Sequence, residues 1–381
     1  MTIFLILLGV ILFISLVIWG IWIYENSLPK LAINAIDNEE QTINDISDWL
    51  QYLSDKQKFN GAILYSKNGT IKLANAYGYT SSKKDEKLTT QSVFRLASVS
   101  KQFTAFGIMV LKKKYQVDYD DLATKYIADF GYPQVTIRHL LNHTSGIKVD
   151  YIKLAKRKKR NKEYILSNKD AVDLLCSNIN SNTNAPLHQY FYNNSNYIVL
   201  ARIIEVVTNM SFEEYMQEYV FIPLQLKQTR VWNLCSKHSR DPDTITMGFE
   251  AFLKSNPVTI EPNWIDGVAG DGGIFSSIQD LVAWDKIWYN NPILTPLEMQ
   301  EAFTLPQLNT QNPSNYGFGW VIDGDNVWHN GQWLAYNAFI LRNTRQKTCF
   351  VLLDNSSNTR FDKVLNTILP NIIPIKNNAI P

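Results

Sequence analysis

Residues 3–24 form an unbroken apolar run with no charge, interrupted only by Gly9, Ser15 and Gly20. As a helix rising about 1.5 Å per residue, such a run matches a bilayer core of roughly 30 Å. It predicts one N-terminal transmembrane helix with Trp19, Trp22 and Tyr24 at the interface. A cleaved signal peptide is the rival reading; it fits less well, because no Lys or Arg precedes the run and the run ends in Trp-Ile-Tyr. Polar residues follow with Pro29, a tether. Asn44 or Asp45 then caps a helix whose stripe is Ile46, Trp49, Leu50 and Leu53. Segments 61–65 and 71–77 read as strands joined at Asn68-Gly69, a hairpin signal. Phe103, Phe106, Met109 and Val110 recur at helical spacing. Residues 115–227 are mostly helices and loops, with Ile198, Leu200, Ile203, Ile204, Val207, Phe212 and Tyr215 in helical register. Strands return at 326–331, 336–343 and 348–355, with Arg345-Gln346-Lys347 as a turn. A last amphipathic helix over 359–369 carries Phe361, Val364, Leu365 and Ile368.

Strands at both ends with helices between predict an α+β fold. One antiparallel sheet, closed by the two ends and flanked by helices, faces a helical subdomain across a cleft. The layout is a transmembrane anchor over 1–25, a tether over 26–43, a domain over 44–372 and a loose tail over 373–381. Within the domain, the α/β part covers about 44–110 and 270–372 and the helical part about 111–269. The net charge of +2 on 381 residues gives no reason to expect nucleic acid. Cys176, Cys235 and Cys349 lack metal spacing and read as buried thiols, with one disulfide left open. The run 151–163 holds Lys153, Lys156, Arg157, Lys158, Lys159, Arg160 and Lys162; it is a solvated loop or a contact with anionic lipid headgroups.

Candidate chemistry centres on Ser98 and Lys101. Ser-x-x-Lys occurs four times, at Ser27, Ser81, Ser98 and Ser145, but only Ser98 opens a long apolar helix. Positions three apart share a helix face, and a lysine in a dry site has its pKa lowered toward that of a base. The helix start suits a developing oxyanion. In Tyr192-Asn193-Asn194, a phenol whose pKa is depressed by nearby cations can act as base, and an amide can orient the lysine or hold a carbonyl. The same tripeptide form recurs at Tyr289-Asn290-Asn291, so a structural tyrosine is the competing reading. His329-Asn330-Gly331 lies in an expected edge strand: the imidazole could pass protons or hydrogen-bond the phenol, and Gly331 would admit a substrate close to the backbone. The Gln332 N–H is then a second oxyanion donor beside that of Ser98. His139 and His143 sit at i, i+4 without a third ligand, so no metal is expected, and a helix-end role suits His143. Gly270-Asp271-Gly272-Gly273 lacks the Gly-Lys-Ser/Thr of a phosphate loop and reads as a tight turn beside the cleft.

In order along the chain, several stretches resemble the serine β-lactamase-like hydrolases, closest to the class C β-lactamase, D-aminopeptidase and esterase branch, with penicillin-binding-protein-like character. They are 94–101 with its Ser98 and Lys101, 135–147 around His143-Thr144-Ser145-Gly146, Tyr192-Asn193-Asn194, 269–277, Tyr316-Gly317-Phe318-Gly319-Trp320 and His329-Asn330-Gly331. The resemblance implies a β-lactamase/transpeptidase-like fold and an acyl-enzyme mechanism. Ser98 is the implied nucleophile. Lys101 and Tyr192 share the base task, Tyr192 protonates the leaving group, and Asn194 orients Lys101 or the substrate. His329 completes the catalytic set, Ser98 and Gln332 form the oxyanion hole, and Gly331, Asn330 and Gly272 line the substrate site. No cofactor is implied, and the partners are a small-molecule or peptide substrate and the membrane.

Two departures stand out. His329-Asn330-Gly331 replaces the Lys-Thr-Gly of many relatives, which disfavours β-lactam hydrolysis and favours an ester, amide or D-amino-acid peptide. Leu187 follows Pro186 where the family often has glycine. The leading function is a membrane-anchored serine hydrolase facing the periplasm or exterior. The alternatives are a non-catalytic or slowly acylated receptor for penicillin or cell-wall peptides, and a helper of a membrane complex.

Overall fold

The computed structural model describes residues 2–34, 38–157, 164–178, 185–236, 245–250, 257–310, 313–357 and 359–373. The tail expected over 373–381 and the second half of the basic run, 158–163, thus lie almost wholly outside the described residues. The chain forms two compact units: residues 1–59 with 359–381, and residues 60–358.

The first unit contains helices α1 (Thr2–Asn26) and α2 (Glu39–Asp55) and a helix over Phe361–Ile368. Phe4, Leu7, Leu8 and Phe13 of α1 are exposed. Among the described residues no helix is long and apolar enough to cross a membrane. Helix α2 starts earlier than the sequence suggested. Asn38 caps it, accepting from the Gln41 N–H at 3.1 Å. The Asp45 carboxylate is occupied by the Asn34 N–H and side-chain amide, at 2.7 and 2.8 Å, so it fastens the preceding segment instead of capping. Ile46, Leu50 and Leu53 are fully buried, and so are Val364 and Ile368 of the last helix.

The second unit holds the strands β1 (Gly61–Lys67), β2 (Thr70–Tyr77), β3 (Phe94–Arg95), β4 (Arg230–Val231), β5 (Phe249–Glu250), β6 (Val258–Thr259), β7 (Ile274–Ser276), β8 (Val321–Asp323), β9 (Asn326–Trp333), β10 (Tyr336–Asn343) and β11 (Thr348–Asp354). Six of them form one sheet in the order β2-β1-β11-β10-β9-β8, every pair antiparallel. Early and late strands meet where Gly61 pairs with Asp354 and Lys67 with Thr348. The β1–β2 turn puts Asn68 at φ 52° and Gly69 at φ 71°, the left-handed pair that a tight hairpin needs. One expectation is corrected: β9 is not the edge. The three-residue β8 pairs with its first half, Val321 opposite Trp328. So short a strand has too few positions to show alternation, and His329–Trp333 lies beyond its reach.

Helix α3 (Ser100–Lys114) runs through the core, and every residue from Ser100 to Leu111 is buried. It is enclosed on all sides, with Phe103 stacked on Trp284 at 3.9 Å between ring centroids. The three cysteines are unbridged and differ in exposure: Cys349 is buried, Cys176 half-buried and Cys235 exposed. The expectation of three buried thiols holds only for Cys349, the one on an interior strand.

Candidate active site

Ser98 lies in a 3-10 turn, Ala97–Val99, that leads into α3. Ala97 just before it adopts φ 46°, a left-handed conformation that costs a non-glycine residue roughly 1–2 kcal/mol. The turn lifts Ser98 to a half-buried position reachable from solvent. One helical turn later Lys101 is fully buried. Its Nζ lies 3.0 Å from Ser98 Oγ, 2.9 Å from Asn194 Oδ1 and 2.9 Å from the Asp271 carbonyl oxygen. The last two atoms can only accept. A neutral amine therefore gives them its two N–H groups and turns its lone pair toward the Ser98 hydroxyl. Burial pushes the Lys101 pKa down to about 8, against the opposing pull of Asp271 and Asp150. Asn194 is placed by its position as first residue of the helix Asn194–Thr208, whose cap Asn193 accepts from the Ser195 N–H.

Tyr192 lines the larger cavity together with Ser98, and Lys101 Nζ lies 4.9 Å from the centre of its ring. A third of the residue, 37%, is exposed. The hydroxyl end is not: burial raises its pKa above the ordinary phenol value, and Asp271 and Asp150 add to the rise. This corrects the reading of Tyr192 as a phenol depressed by cations. The resting group is a neutral O–H, and the lowered pKa beside Ser98 belongs to Lys101.

His329 lines the larger cavity with Ser98 and Tyr192, but its hydrogen-bond partners are not the expected ones. Its Nδ1 lies 2.6 Å from the Asn330 carbonyl oxygen, which can only accept, so Nδ1 carries the proton. Nε2 then accepts from the Tyr316 hydroxyl at 2.9 Å. Burial and the Lys101 charge push the imidazole down to about 3. Its ring is 6.0 Å from that of Tyr192, and its phenol partner is Tyr316. Gly331 has a different neighbour as well. A Cβ there would stand 2.3 Å from the Leu96 carbonyl oxygen and 2.8 Å from the Ser98 nitrogen. The glycine lets β9 approach the turn that carries Ser98, and it also lines the larger cavity there.

Two cavities meet at Ser98. One of about 360 Å³ is walled by Tyr190, Tyr192, Tyr316, Trp328, His329, Asn330 and Gln332, and among the described residues no Asp, Glu, Lys or Arg lines it. Asn330 and Gln332 are exposed on its rim. The other, of about 40 Å³, lies toward Gly272, Asp271, Arg95 and Trp333. Gly272 needs no special freedom there, since its Cβ would meet Ala97 at an ordinary 3.6 Å.

Asp271 and its partner Tyr151 escaped the sequence reading as contributors. Asp271 holds Lys101 through its backbone carbonyl, and its carboxylate accepts from the Tyr151 hydroxyl at 3.0 Å. His143, at φ 56°, is buried beside the tyrosines, 4.5 Å from Tyr192 and 4.7 Å from Tyr316 between ring centres. Its Nδ1 accepts from the Asn196 amide at 2.9 Å. His139 Nδ1 accepts from the Thr136 N–H in a capping box. Among the described residues no group of three His, Cys, Asp or Glu could hold a metal. Leu187 keeps the left-handed conformation glycine favours, at φ 62°, and its N–H donates to the Thr144 carbonyl.

The sequence pattern of the family described as Beta-lactamase matches residues 46–369. The chain belongs to the β-lactamase family. It is similar to Penicillin-binding protein 4* of Bacillus subtilis (strain 168), 32% identical over 327 residues, which are 82% of this chain and 72% of that protein. Protein flp of Staphylococcus aureus (strain MW2) is 27% identical over 333 residues, 82% of this chain but 62% of the relative's length. The crystal structure of D-amino acid amidase from Ochrobactrum anthropi SV3 superposes with a TM-score of 0.70 at 20% identity, covering 88% of this chain and 98% of the other. That likeness shows the β-lactamase-type α+β fold.

Proposed function

We propose that this β-lactamase family member is a serine hydrolase that works through an acyl-enzyme on Ser98. The observation that carries the reading is the Lys101 amine: it is buried, lowered to about 8, and 3.0 Å from the Ser98 hydroxyl. Lys101 takes the Ser98 proton as the oxygen attacks a carbonyl carbon. The N–H groups of Ser98 and Gln332 receive the oxyanion; such a donor contributes about 10²–10³ in rate. Tyr192, neutral at rest and in the same cavity wall as Ser98, hands a proton to the leaving group and draws it back from Lys101. Asn194 and the Asp271 carbonyl aim the amine throughout, and water then releases the acyl group. His329 stays neutral and supports the wall through Tyr316.

The aromatic lining of the larger cavity favours a neutral leaving group over one bearing a carboxylate, so esters and simple amides fit better than β-lactams. The name of the Bacillus relative says that it binds penicillin. That supports a second reading, a receptor acylated by β-lactams and slow to release them. The apolar N-terminal run anchors the chain in a membrane with the catalytic domain outside the cytoplasm. A fluorophosphonate separates these proposals: the wild type is labelled and Ser98→Ala is not, and equal labelling of both removes Ser98 from the role. A labelled chain that turns over no ester or amide is the receptor. Extraction of the full chain from membranes by carbonate, without detergent, refutes the anchor.

A further inference from the structure

Resting on the reading of Ser98 as nucleophile and of the Gln332 N–H as an oxyanion donor, we infer that Trp333 is a positioning residue of the oxyanion hole. It acts through the bond from its indole to Asp266. The hairpin of β9 and β10 fixes which way the Gln332 N–H points. Its turn is Leu334-Ala335, with Leu334 at φ 52°, and its closing pair is Trp333 and Tyr336. Across a two-residue turn that pair exchanges both backbone bonds, so the next pair, Gln332 and Asn337, exchanges none. The N–H of Gln332 therefore faces away from β10. Strand β8 does not take it up, because its pairing with β9 runs only from Asn326 to Trp328. On that open flank lies the turn that carries Ser98, and among the described residues only Ser98 and Gln332 line both cavities.

A donor at the end of a strand, with no second strand beside it, is placed only as well as the strand itself. Two contacts set its distance from Ser98. Gly331 sets the lower limit: a Cβ there would already stand 2.8 Å from the Ser98 nitrogen, so β9 has no room to come closer. Trp333 sets the upper limit, its Nε1 donating to Asp266 Oδ1 at 2.6 Å. Asp266 is a firm anchor. It is buried in the helical turn Trp264–Gly267 and held at both oxygens: Oδ1 also accepts from Arg95 Nη1 at 2.7 Å, and Oδ2 accepts from the Asn263 N–H at 2.8 Å. Arg95 donates in turn from Nε to the Gly272 carbonyl at 3.0 Å, and its guanidinium lies over the Trp333 ring, 5.9 Å from the centre.

Three separate stretches of chain thus meet at Asp266, and Trp333 is where the strand tip joins them. The indole N–H is not needed to balance charge, because without it Asp266 keeps Arg95 and the Asn263 N–H. Its loss frees the residue next to Gln332 and lets the donor drift from the place where the oxyanion forms.

The test uses the full chain with p-nitrophenyl acetate and its thiono counterpart, in which sulfur replaces the carbonyl oxygen. Backbone N–H groups hold a developing oxyanion better than the larger, weakly accepting sulfur, so a well-placed hole shows in the ratio of the two kcat/KM values. Trp333→Phe keeps a ring and removes the N–H. It should lower kcat/KM for the acetate about tenfold, part of the 10²–10³ that a whole donor contributes, and leave the thiono substrate within about threefold of wild type. Trp333→His keeps a ring N–H on a shorter side chain; it should show the same selective loss, smaller, and it stands in if the phenylalanine variant does not fold. Tyr336→Phe is the comparison. It removes the bond to the Thr246 carbonyl from the same hairpin and should leave the oxo-to-thiono ratio unchanged. Equal losses with both substrates, or no loss with the acetate in a variant that folds, overturn the role of Trp333 alone, provided the wild type hydrolyses the acetate in a Ser98-dependent way. Absence of any Ser98-dependent hydrolysis overturns it together with the hydrolase reading.

Discussion

Replacing Gly331 by alanine tests the contact on which the nucleophile's position depends. The added Cβ would lie 2.3 Å from the Leu96 carbonyl oxygen, 2.8 Å from the Ser98 nitrogen and 3.1 Å from the Ala97 Cβ. Ordinary contact begins near 3.4 Å, so the turn or β9 must retreat by roughly 1 Å. None of the three neighbours can rotate away, because two are backbone and the third is fixed to a residue already at φ 46°. A misplacement of that size costs about 10²-fold in rate. Overpacking should also cost about 1–3 kcal/mol of stability. The rate constant for fluorophosphonate acylation reads the first effect and thermal melting the second. Gly272→Ala is the comparison for melting, since its Cβ meets Ala97 at 3.6 Å and should leave the transition where it is. If Gly331→Ala is acylated within threefold of the wild-type rate and melts with it, β9 does not press on Ser98 as described.

The Lys101 pKa of about 8 makes acylation rise with pH. About a tenth of the amine is neutral at pH 7 and about nine tenths at pH 9, so the acylation rate should climb roughly tenfold and then level; a flat profile refutes Lys101 as base. His329, lowered to about 3, should add no limb near pH 6.5, and replacing it should leave the midpoint near 8. Tyr192→Phe should slow an anilide by about 10²-fold or more but a p-nitrophenyl ester far less, since p-nitrophenolate leaves without a proton; equal losses would refute the proton-donor role. Away from the site, Arg342 and Asp285 form a buried pair at 2.6 Å. Arg342→Met should cost about 3–5 kcal/mol in urea unfolding, and a loss under 1 kcal/mol would show that Asp285 finds another partner.

Much of the frame was readable because it rests on side-chain periodicity and turn chemistry. Asn68-Gly69 announces its hairpin, and the 348–355 run announces an interior strand. Ser98 and Lys101 could be paired from spacing, since a helix fixes how residues three apart face each other. What could not be read depends on long-range contact or on the backbone. The Asp271 carbonyl that holds Lys101 is an atom every residue possesses. The choice of Tyr316 over Tyr192 as partner of His329 is decided by how β9 lies against the helical part. The sign of the Tyr192 shift follows from burial of its hydroxyl end, which no local pattern encodes.

The seam between β1 and β11 sets an order of events during synthesis. Asn60 and Asn355 are 295 positions apart, yet their side chains are joined at 2.6 Å beside that seam. Before the final strand leaves the ribosome, β1 and β10 each present a bare flank to other nascent chains. Contacts of such sequence separation form slowly, so this part of the protein assembles late and nearly all at once. A message truncated before codon 348 should yield an insoluble fragment with no competent serine, even though Ser98, Lys101, Tyr192 and His329 have all been translated.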